Sequence, residues 1–166
     1  MKKDSASAAL LRLILKLLII ALFAMLLTHF VLGVFIVHTN DMFPAVRDGD
    51  LFIGLRPKSP AYGDIVAYRA DGQRRFGRIV GLEGDVIEMD GGGNYRINGS
   101  IPYESVYYET RAVVGADVQY PYTVGKDEMF VLNDLRDNTG DSRIYGAIPR
   151  SETEGSLVLL LRRRSW

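Results

Sequence analysis

The sequence contains no cysteine and only two histidines, and these absences exclude several kinds of site. Without cysteine there is no disulfide, no thiolate nucleophile and no cysteine-ligated metal. Both histidines, His29 and His38, lie early in the chain, so a Ser-His-Asp triad would have to use His38. Of the five lysines, only Lys58 and Lys126 lie beyond residue 16. The composition therefore indicates neither a metal site nor a cofactor.

Charge is distributed unevenly along the 166 residues. The chain has 20 basic and 20 acidic side chains, yet residues 1–16 hold four basic residues and one acidic residue. The remaining residues therefore have a net charge of −3. A domain with this balance lacks the positive field that nucleic-acid binding usually requires, which argues against a nucleic-acid partner.

A run of 21 uncharged residues, 17–37, predicts a membrane-spanning helix. At about 1.5 Å per residue the helix would be roughly 31 Å long, enough for a bilayer core of about 30 Å. The run is longer than the apolar core of a cleaved signal peptide, and Val37-His38-Thr39 is a poor cleavage site, so we interpret it as a retained anchor. The basic residues that precede it predict a cytoplasmic N-terminus, 1–16, and an extracellular domain, 38–166.

Beyond residue 37, short apolar runs separated by glycine predict a mainly β domain of antiparallel sheets. Runs of strand length and suitable composition lie at 50–55, 64–69, 77–81, 85–89, 95–98, 128–132 and 156–161. A glycine-rich turn at 90–94 predicts a hairpin, and a small subdomain is expected at about 86–126. Five tyrosines fit either a partner surface or the wall of that subdomain: Tyr103, Tyr107, Tyr108, Tyr120 and Tyr122.

Four motifs follow the predicted anchor in a fixed order. They are Asp41-Met-Phe-Pro-Ala-Val-Arg-Asp-Gly-Asp50, Gly63-Asp-Ile-Val66, Phe76-Gly-Arg-Ile-Val-Gly-Leu-Glu-Gly-Asp85 and Asn133-Asp-Leu-Arg-Asp-Asn-Thr-Gly-Asp-Ser-Arg-Ile-Tyr-Gly146. Each resembles a motif of the type I signal peptidases (peptidase family S26), and order and spacing agree through about residue 150. The resemblance implies an antiparallel β-sheet domain of signal-peptidase type behind one transmembrane helix.

The resemblance also identifies two departures from the family. In signal peptidases a serine attacks the scissile carbonyl, and a lysine kept neutral by burial takes its proton; the corresponding positions here are Asp41 and Gly77. Aspartate is not a serine-like nucleophile toward an amide, and glycine supplies no base. The neighbouring Arg78 stays protonated at physiological pH and does not replace the lysine. The resemblance therefore predicts a member of the family without catalytic residues.

The other motif residues would then form a vestigial site made of Met42, Pro44, Arg78, Asp141, Ser142 and Arg143. In the family the Asp-Ser-Arg element supports the loops, so the resemblance implies that Asp141 and Arg143 form a structural ion pair and that Ser142 has lost its lysine partner. An alternative is an aspartic-type peptidase in which Asp41 shares a proton with Asp134 or Asp141. Whether Asp41 is a solvated loop residue or a binding contact stays open.

A signal peptidase without its chemistry can still bind a partner. The family holds its substrate as an added strand beside an extended edge, and main-chain hydrogen bonding of that kind needs no catalytic pair. The double replacement resembles the SipA-type signal-peptidase-like proteins of Gram-positive pilus clusters, which are needed for pilin polymerisation. That resemblance implies pilin subunits, a pilus sortase or both as partners of a chaperone or scaffold, and it leaves a homodimer open. The alternatives are an active aspartic-type signal peptidase and a decoy that holds signal peptides.

Overall fold

The computed structural model describes residues 6–104, 106 and 108–162. Its first element is helix α1, Ala6–Phe30. Within this helix, Ser7–Phe30 is long and apolar enough to cross a membrane, and the rest of the protein does not bury it.

The predicted anchor, 17–37, differs from α1 at both ends. The helix begins earlier and includes Arg12 and Lys16, whose charge had placed the boundary at residue 17. At the other end, strand β1 (Leu32–Ile36) occupies part of the apolar run, because composition alone does not separate a helix from a strand in such a run. The sheet domain therefore begins with β1, and the predicted boundaries at 16 and 38 shift with it.

Nine further strands follow β1 in the part of the chain that the structure describes. They are β2 Leu51–Leu55, β3 Ile65–Ala70, β4 Gln73–Leu82, β5 Val86–Met89, β6 Tyr95–Ile97, β7 Tyr122–Thr123, β8 Glu128–Leu132, β9 Ile148–Pro149 and β10 Thr153–Leu161. All of the ladders between these strands are antiparallel, so the predicted fold class is confirmed. Each of the seven runs predicted from the sequence overlaps one of these strands, whereas β1, β7 and β9 were not predicted.

The strands form two sheets. The larger has seven strands in the order β1-β2-β10-β3-β4-β8-β9, and the smaller has the order β6-β5-β7. The smaller sheet lies within residues 86–126, and the predicted turn at 90–94 joins β5 to β6 as a hairpin. Asp90 shapes this turn, because its carboxylate accepts hydrogen bonds from the main-chain N–H groups of Gly92 and Asn94.

A core cluster lies inside the curved larger sheet and joins β1 to β4. Phe35 of β1, Phe52 of β2 and Phe76 of β4 are buried in it together, with Ala67 of β3. The Phe52 ring lies 6.1 Å from the Phe35 ring and 5.1 Å from the Phe76 ring, measured between centroids. This packing brings the loop that follows β1 close to the middle of β4, where two of the four motifs meet.

Candidate functional site

Asp41 lies in the loop after β1 and is fastened to the loop after β8. Its main-chain carbonyl oxygen accepts a hydrogen bond from the Leu135 N–H (2.9 Å), and its carboxylate accepts one from the side-chain amide of Asn138. Its own N–H donates to Thr39 Oγ1 (3.2 Å). Asp41 is half-buried, so it is neither a freely solvated loop residue nor a core residue.

Met42 and Pro44, the next two motif residues, have different environments. Met42 is buried in the core cluster around Phe52, and its sulfur accepts a hydrogen bond from the Asp134 N–H at 3.4 Å. Pro44 is exposed. The methionine therefore anchors the loop that carries Asp41, while the proline lies at its surface.

Gly77 lies in the middle of β4, where it is buried and pairs with Val66 of β3. A Cβ atom placed there would come within 3.0 Å of Cγ1 of Val131. The position at which the resemblance places the lysine is therefore surrounded by packed core.

Arg78 is bound to Asp134 through two hydrogen bonds. Its Nε and Nη2 donate to the two carboxylate oxygens of Asp134 at 2.7 and 2.6 Å, and its Nη1 donates to the Gly63 carbonyl oxygen at 2.8 Å. The hydrogen bonds to Asp134 raise the pKa of Arg78 above its ordinary value, although partial burial opposes the shift. Arg78 is therefore held in the protonated state and joins the second, third and fourth motifs.

Asp141, Ser142 and Arg143 form a buried network at the start of helix α2 (Ser142–Tyr145). Asp141 caps the helix by accepting a hydrogen bond from the Arg143 N–H, and its carboxylate pairs with the Arg143 guanidinium at 2.7 Å. The predicted ion pair is therefore confirmed. Ser142 Oγ accepts a hydrogen bond from the Val131 N–H at 2.9 Å, so its hydroxyl supports β8.

Comparison with known proteins agrees with these motifs. Residues 10–161 match the family model described as signal peptidase, peptidase S26. The chain belongs to this family. It is 32% identical to a signal peptidase I of Bacillus amyloliquefaciens over 135 aligned residues. The aligned region covers 72% of this chain and 68% of the relative.

Two further relatives extend the comparison. A Staphylococcus aureus protein named inactive signal peptidase IA is 27% identical over 152 residues, which cover 86% of each chain. The crystal structure of a signal peptidase I from Enterococcus faecalis matches with a TM-score of 0.50 and 28% identity, covering 61% of this chain and 98% of that chain. The signal peptidase family thus includes a relative that is named as inactive.

The two lysines beyond residue 16 lie outside the four motifs. Lys58 Nζ pairs with Asp64 Oδ1 at 2.7 Å, and Lys126 is exposed in the turn before β8. A Ser/Lys pair of the family's kind would need one of these amines beside a serine hydroxyl, and among the described residues neither amine is hydrogen-bonded to one.

The aspartic-type alternative requires two carboxyl groups that share a proton. The hydrogen bonds of the described residues connect each carboxylate to a different donor: Asp41 to Asn138, Asp134 to Arg78 and Asp141 to Arg143. This arrangement gives no support to a proton shared between Asp41 and either of the others.

The structure also brings forward residues that the sequence analysis did not single out. Tyr68 of β3 is fully buried beside Gly77, and burial, followed by the negative charge of Asp141, raises its pKa. Arg136, in the fourth motif, is buried and donates to Glu104 Oε2 (2.5 Å) and Thr110 Oγ1 (2.7 Å). It fastens the segment between β6 and β7 to the motif. An arginine inside a motif was the sequence signal available for this contact.

The tyrosines of that segment divide between packing and exposure. Tyr120 and Tyr122 pack against a core cluster to which both sheets contribute, whereas the Tyr103 side chain is almost fully exposed. Tyr107 lies outside the described residues. Among the described residues, no group of three or more His, Asp or Glu side chains is arranged to hold a metal ion.

Proposed function

We propose that this chain is a non-catalytic signal-peptidase-like factor that binds an extended segment of a partner protein at the outer face of the membrane. The partner is a pilin subunit, a pilus sortase or both, and the role is that of a chaperone or scaffold in pilus polymerisation. The observation that carries the proposal is the pair Asp41 and Gly77 in an otherwise recognisable signal peptidase. The family's relative that is named inactive supports the loss of catalysis.

The chemistry of the two positions supports inactivity. Attack by the Asp41 carboxylate on an amide would produce a highly reactive anhydride, and Gly77 has no group to accept a proton. Arg78 remains protonated because a guanidinium keeps its charge at physiological pH, and the hydrogen bonds to Asp134 raise its pKa further. Position 77 therefore has neither a base of its own nor a neighbouring substitute.

The binding edge that we propose is the first half of β4. β3 pairs with β4 over Gln73–Arg78, whereas the ladder to β8 begins only at Arg78. Among the described strands, the stretch Gln73–Gly77 therefore has a partner on one side only. Unpaired main-chain groups of this kind are the template for an added strand.

The direction of the main-chain groups on β4 follows from the ladder. The Ile79 N–H donates to the Asp64 carbonyl, toward β3. Because these groups alternate along a strand, those of Arg74 and Phe76 face the opposite side. An extended segment that docks on β4 would therefore form its hydrogen bonds with Arg74 and Phe76.

The location at a membrane is supported by the face of the sheet next to α1. The outer face of β1, β2 and β10 consists of aliphatic side chains in cross-strand register: Val34, Ile53 and Leu159, then Ile36, Leu51 and Leu161. The four of these residues that lie in β1 and β10 are 45–59% exposed. Because β1 begins two residues after α1 ends, this face adjoins the proposed anchor. We propose that α1 spans the membrane with its N-terminus in the cytoplasm and the β domain outside.

Two experiments test the function. The full chain in detergent should leave a signal-peptide substrate intact under conditions in which a Bacillus signal peptidase I cleaves it; cleavage would refute the loss of catalysis. In the native organism, deletion should abolish pilin polymerisation while secretion of other proteins continues. Normal polymers in the deletion strain would refute the role in assembly.

A matched pair of variants at Arg74 tests whether the partner docks on the edge of β4. Arg74→Pro removes the N–H that faces the unpaired side, whereas Arg74→Ala removes the same guanidinium contacts and keeps that N–H. In the deletion strain, Arg74→Ala should restore polymerisation and Arg74→Pro should not, with equal amounts of both proteins in the membrane. Equal restoration by the two variants would show that the partner does not use this edge.

A further inference from the structure

The position of the missing base is enclosed on three sides. A Cβ atom at Gly77 would lie closer than 3.0 Å to Val131 Cγ1, 3.3 Å from Tyr68 Cε1 and 3.4 Å from the main-chain oxygen of Leu132. Carbon atoms in favourable contact lie about 3.5–4.0 Å apart. Even the smallest side chain at position 77 therefore requires its neighbours to move.

The neighbours are held firmly. Val131 and Tyr68 are both completely buried, and Val131 is β-branched, which limits its side chain to few rotamers. The Val131 N–H is held by Ser142 Oγ at 2.9 Å. Leu132 pairs directly with Arg78 in the ladder between β8 and β4. Movement of any of these groups would disturb the packing of the large sheet.

We propose that Tyr68 and Val131 seal the position of the missing base, so that the loss of catalysis is fixed by core packing and is not reversed by restoring the serine and the lysine alone. Their side chains fill the volume in which a lysine stem at position 77 would have to start. The proposal concerns the interior of the large sheet and does not depend on any partner that binds at its edge.

The hydroxyl group of Tyr68 is consistent with a closed interior. It is buried and has no hydrogen-bond partner among the described residues. A neutral phenol of this kind does not take a proton from an attacking group.

The test is a set of double-mutant cycles on the full chain in detergent, read by thermal unfolding. Gly77→Ala should lower the melting temperature by about 5–10 °C, because overpacking a core is destabilising. Gly91→Ala is the matched control: its added methyl group meets nothing within 4 Å, and it should change the melting temperature by less than about 2 °C.

Smaller side chains at positions 131 and 68 should reduce the destabilisation caused by Gly77→Ala, which would identify Val131 and Tyr68 as the residues that fill this space. In a Val131→Ala background, and separately in a Tyr68→Leu background, the further loss caused by Gly77→Ala should fall to less than half of its value in the native background. If Gly77→Ala is tolerated as well as Gly91→Ala, or if neither background reduces its effect, the proposal is wrong.

A second measurement uses activity. The double variant with Asp41→Ser and Gly77→Lys should not cleave a fluorogenic signal-peptide substrate, and cleavage by it would overturn the seal. Cleavage by the unchanged chain would instead overturn the proposed function, so the two failures are distinguishable.

Discussion

The side-chain amide of Asn138 donates a hydrogen bond to the carboxylate of Asp41. Together with the bond from the Leu135 N–H to the Asp41 carbonyl oxygen, this contact joins the first signal peptidase motif to the fourth. The position to which the family resemblance assigns the nucleophile thus has a structural contact here. A carboxylate at this position accepts hydrogen bonds well, because ionised acceptors form stronger bonds than neutral ones.

Asp41→Ala should destabilise the protein by about 0.5–1.5 kcal/mol, since it removes one partner of a partly exposed hydrogen bond. Urea unfolding of the full chain in detergent measures the change. Asp117→Ala, at an exposed aspartate without a described side-chain contact, should change the free energy of unfolding by less than about 0.5 kcal/mol. An equal effect of both substitutions would mean that the contact with Asn138 contributes nothing to stability.

Asp141→Ala should be far more damaging. It leaves the Arg143 guanidinium buried without its carboxylate partner, which costs about 3–5 kcal/mol in comparable buried pairs. Glu109→Ala is the control, because the Glu109–Arg111 pair is exposed on both sides and exposed pairs contribute about 0–1 kcal/mol. Similar urea midpoints for the two variants would show that the buried Asp141–Arg143 pair contributes no more to stability than the exposed Glu109–Arg111 pair.

Acid should weaken the protein partly through Asp85. Burial favours a higher pKa for this carboxyl, but hydrogen bonds from the Leu82 N–H, the Tyr62 hydroxyl and Asn98 outweigh it and lower the pKa. The resulting stabilisation is present above the ordinary aspartate pKa of about 3.9 and is lost as the pH falls through the lowered folded value. Asp85→Asn should therefore be less stable than the native chain at pH 7, and the difference should shrink below about pH 4. A constant difference from pH 7 to pH 3, measured by urea unfolding, would refute this assignment.

The aliphatic face beside α1 should contact lipid. Because the chain has no cysteine, Ile36→Cys and Val114→Cys each provide one site for a spin label. The full chain is placed in nanodiscs, and the spin relaxation of each label is measured. Lipid-soluble oxygen should enhance the spin relaxation of the label at 36 more than a water-soluble nickel reagent does. The label at 114, which replaces a side chain that is 96% exposed in the segment between β6 and β7, should show the opposite order. The same order at both sites would remove the support for a membrane-facing sheet.

The sequence predicted most strands because their local signals were consistent. β-branched runs separated by glycine turns placed β2 to β6, β8 and β10 to within a few residues. β1 was missed because it continues an apolar helix without a polar break, so that its periodicity was hidden in a longer apolar run. The two-residue strands β7 and β9 are too short to leave a pattern and depend on their partners, β5 and β8.

The site was predicted in the same uneven way. The motif residues and the Asp141–Arg143 pair follow from sequence order and from the family resemblance. The contact of Asn138 with Asp41 joins residues 97 positions apart, and the packing of Tyr68 and Val131 around Gly77 depends on the register of three strands. Neither the contact nor the packing can be predicted from the local sequence pattern.

The sequence by itself determined which functional groups are present: a carboxylate at position 41 and no side chain at position 77, the two positions to which the resemblance assigns the family's nucleophile and base. It also determined that the chain has no cysteine and only two histidines. Only the tertiary structure decided what surrounds those positions, because strand register brings distant side chains into one layer of the core. A missing side chain is a property of the chain, whereas the space that it leaves, filled here by Val131 and Tyr68, is a property of the fold.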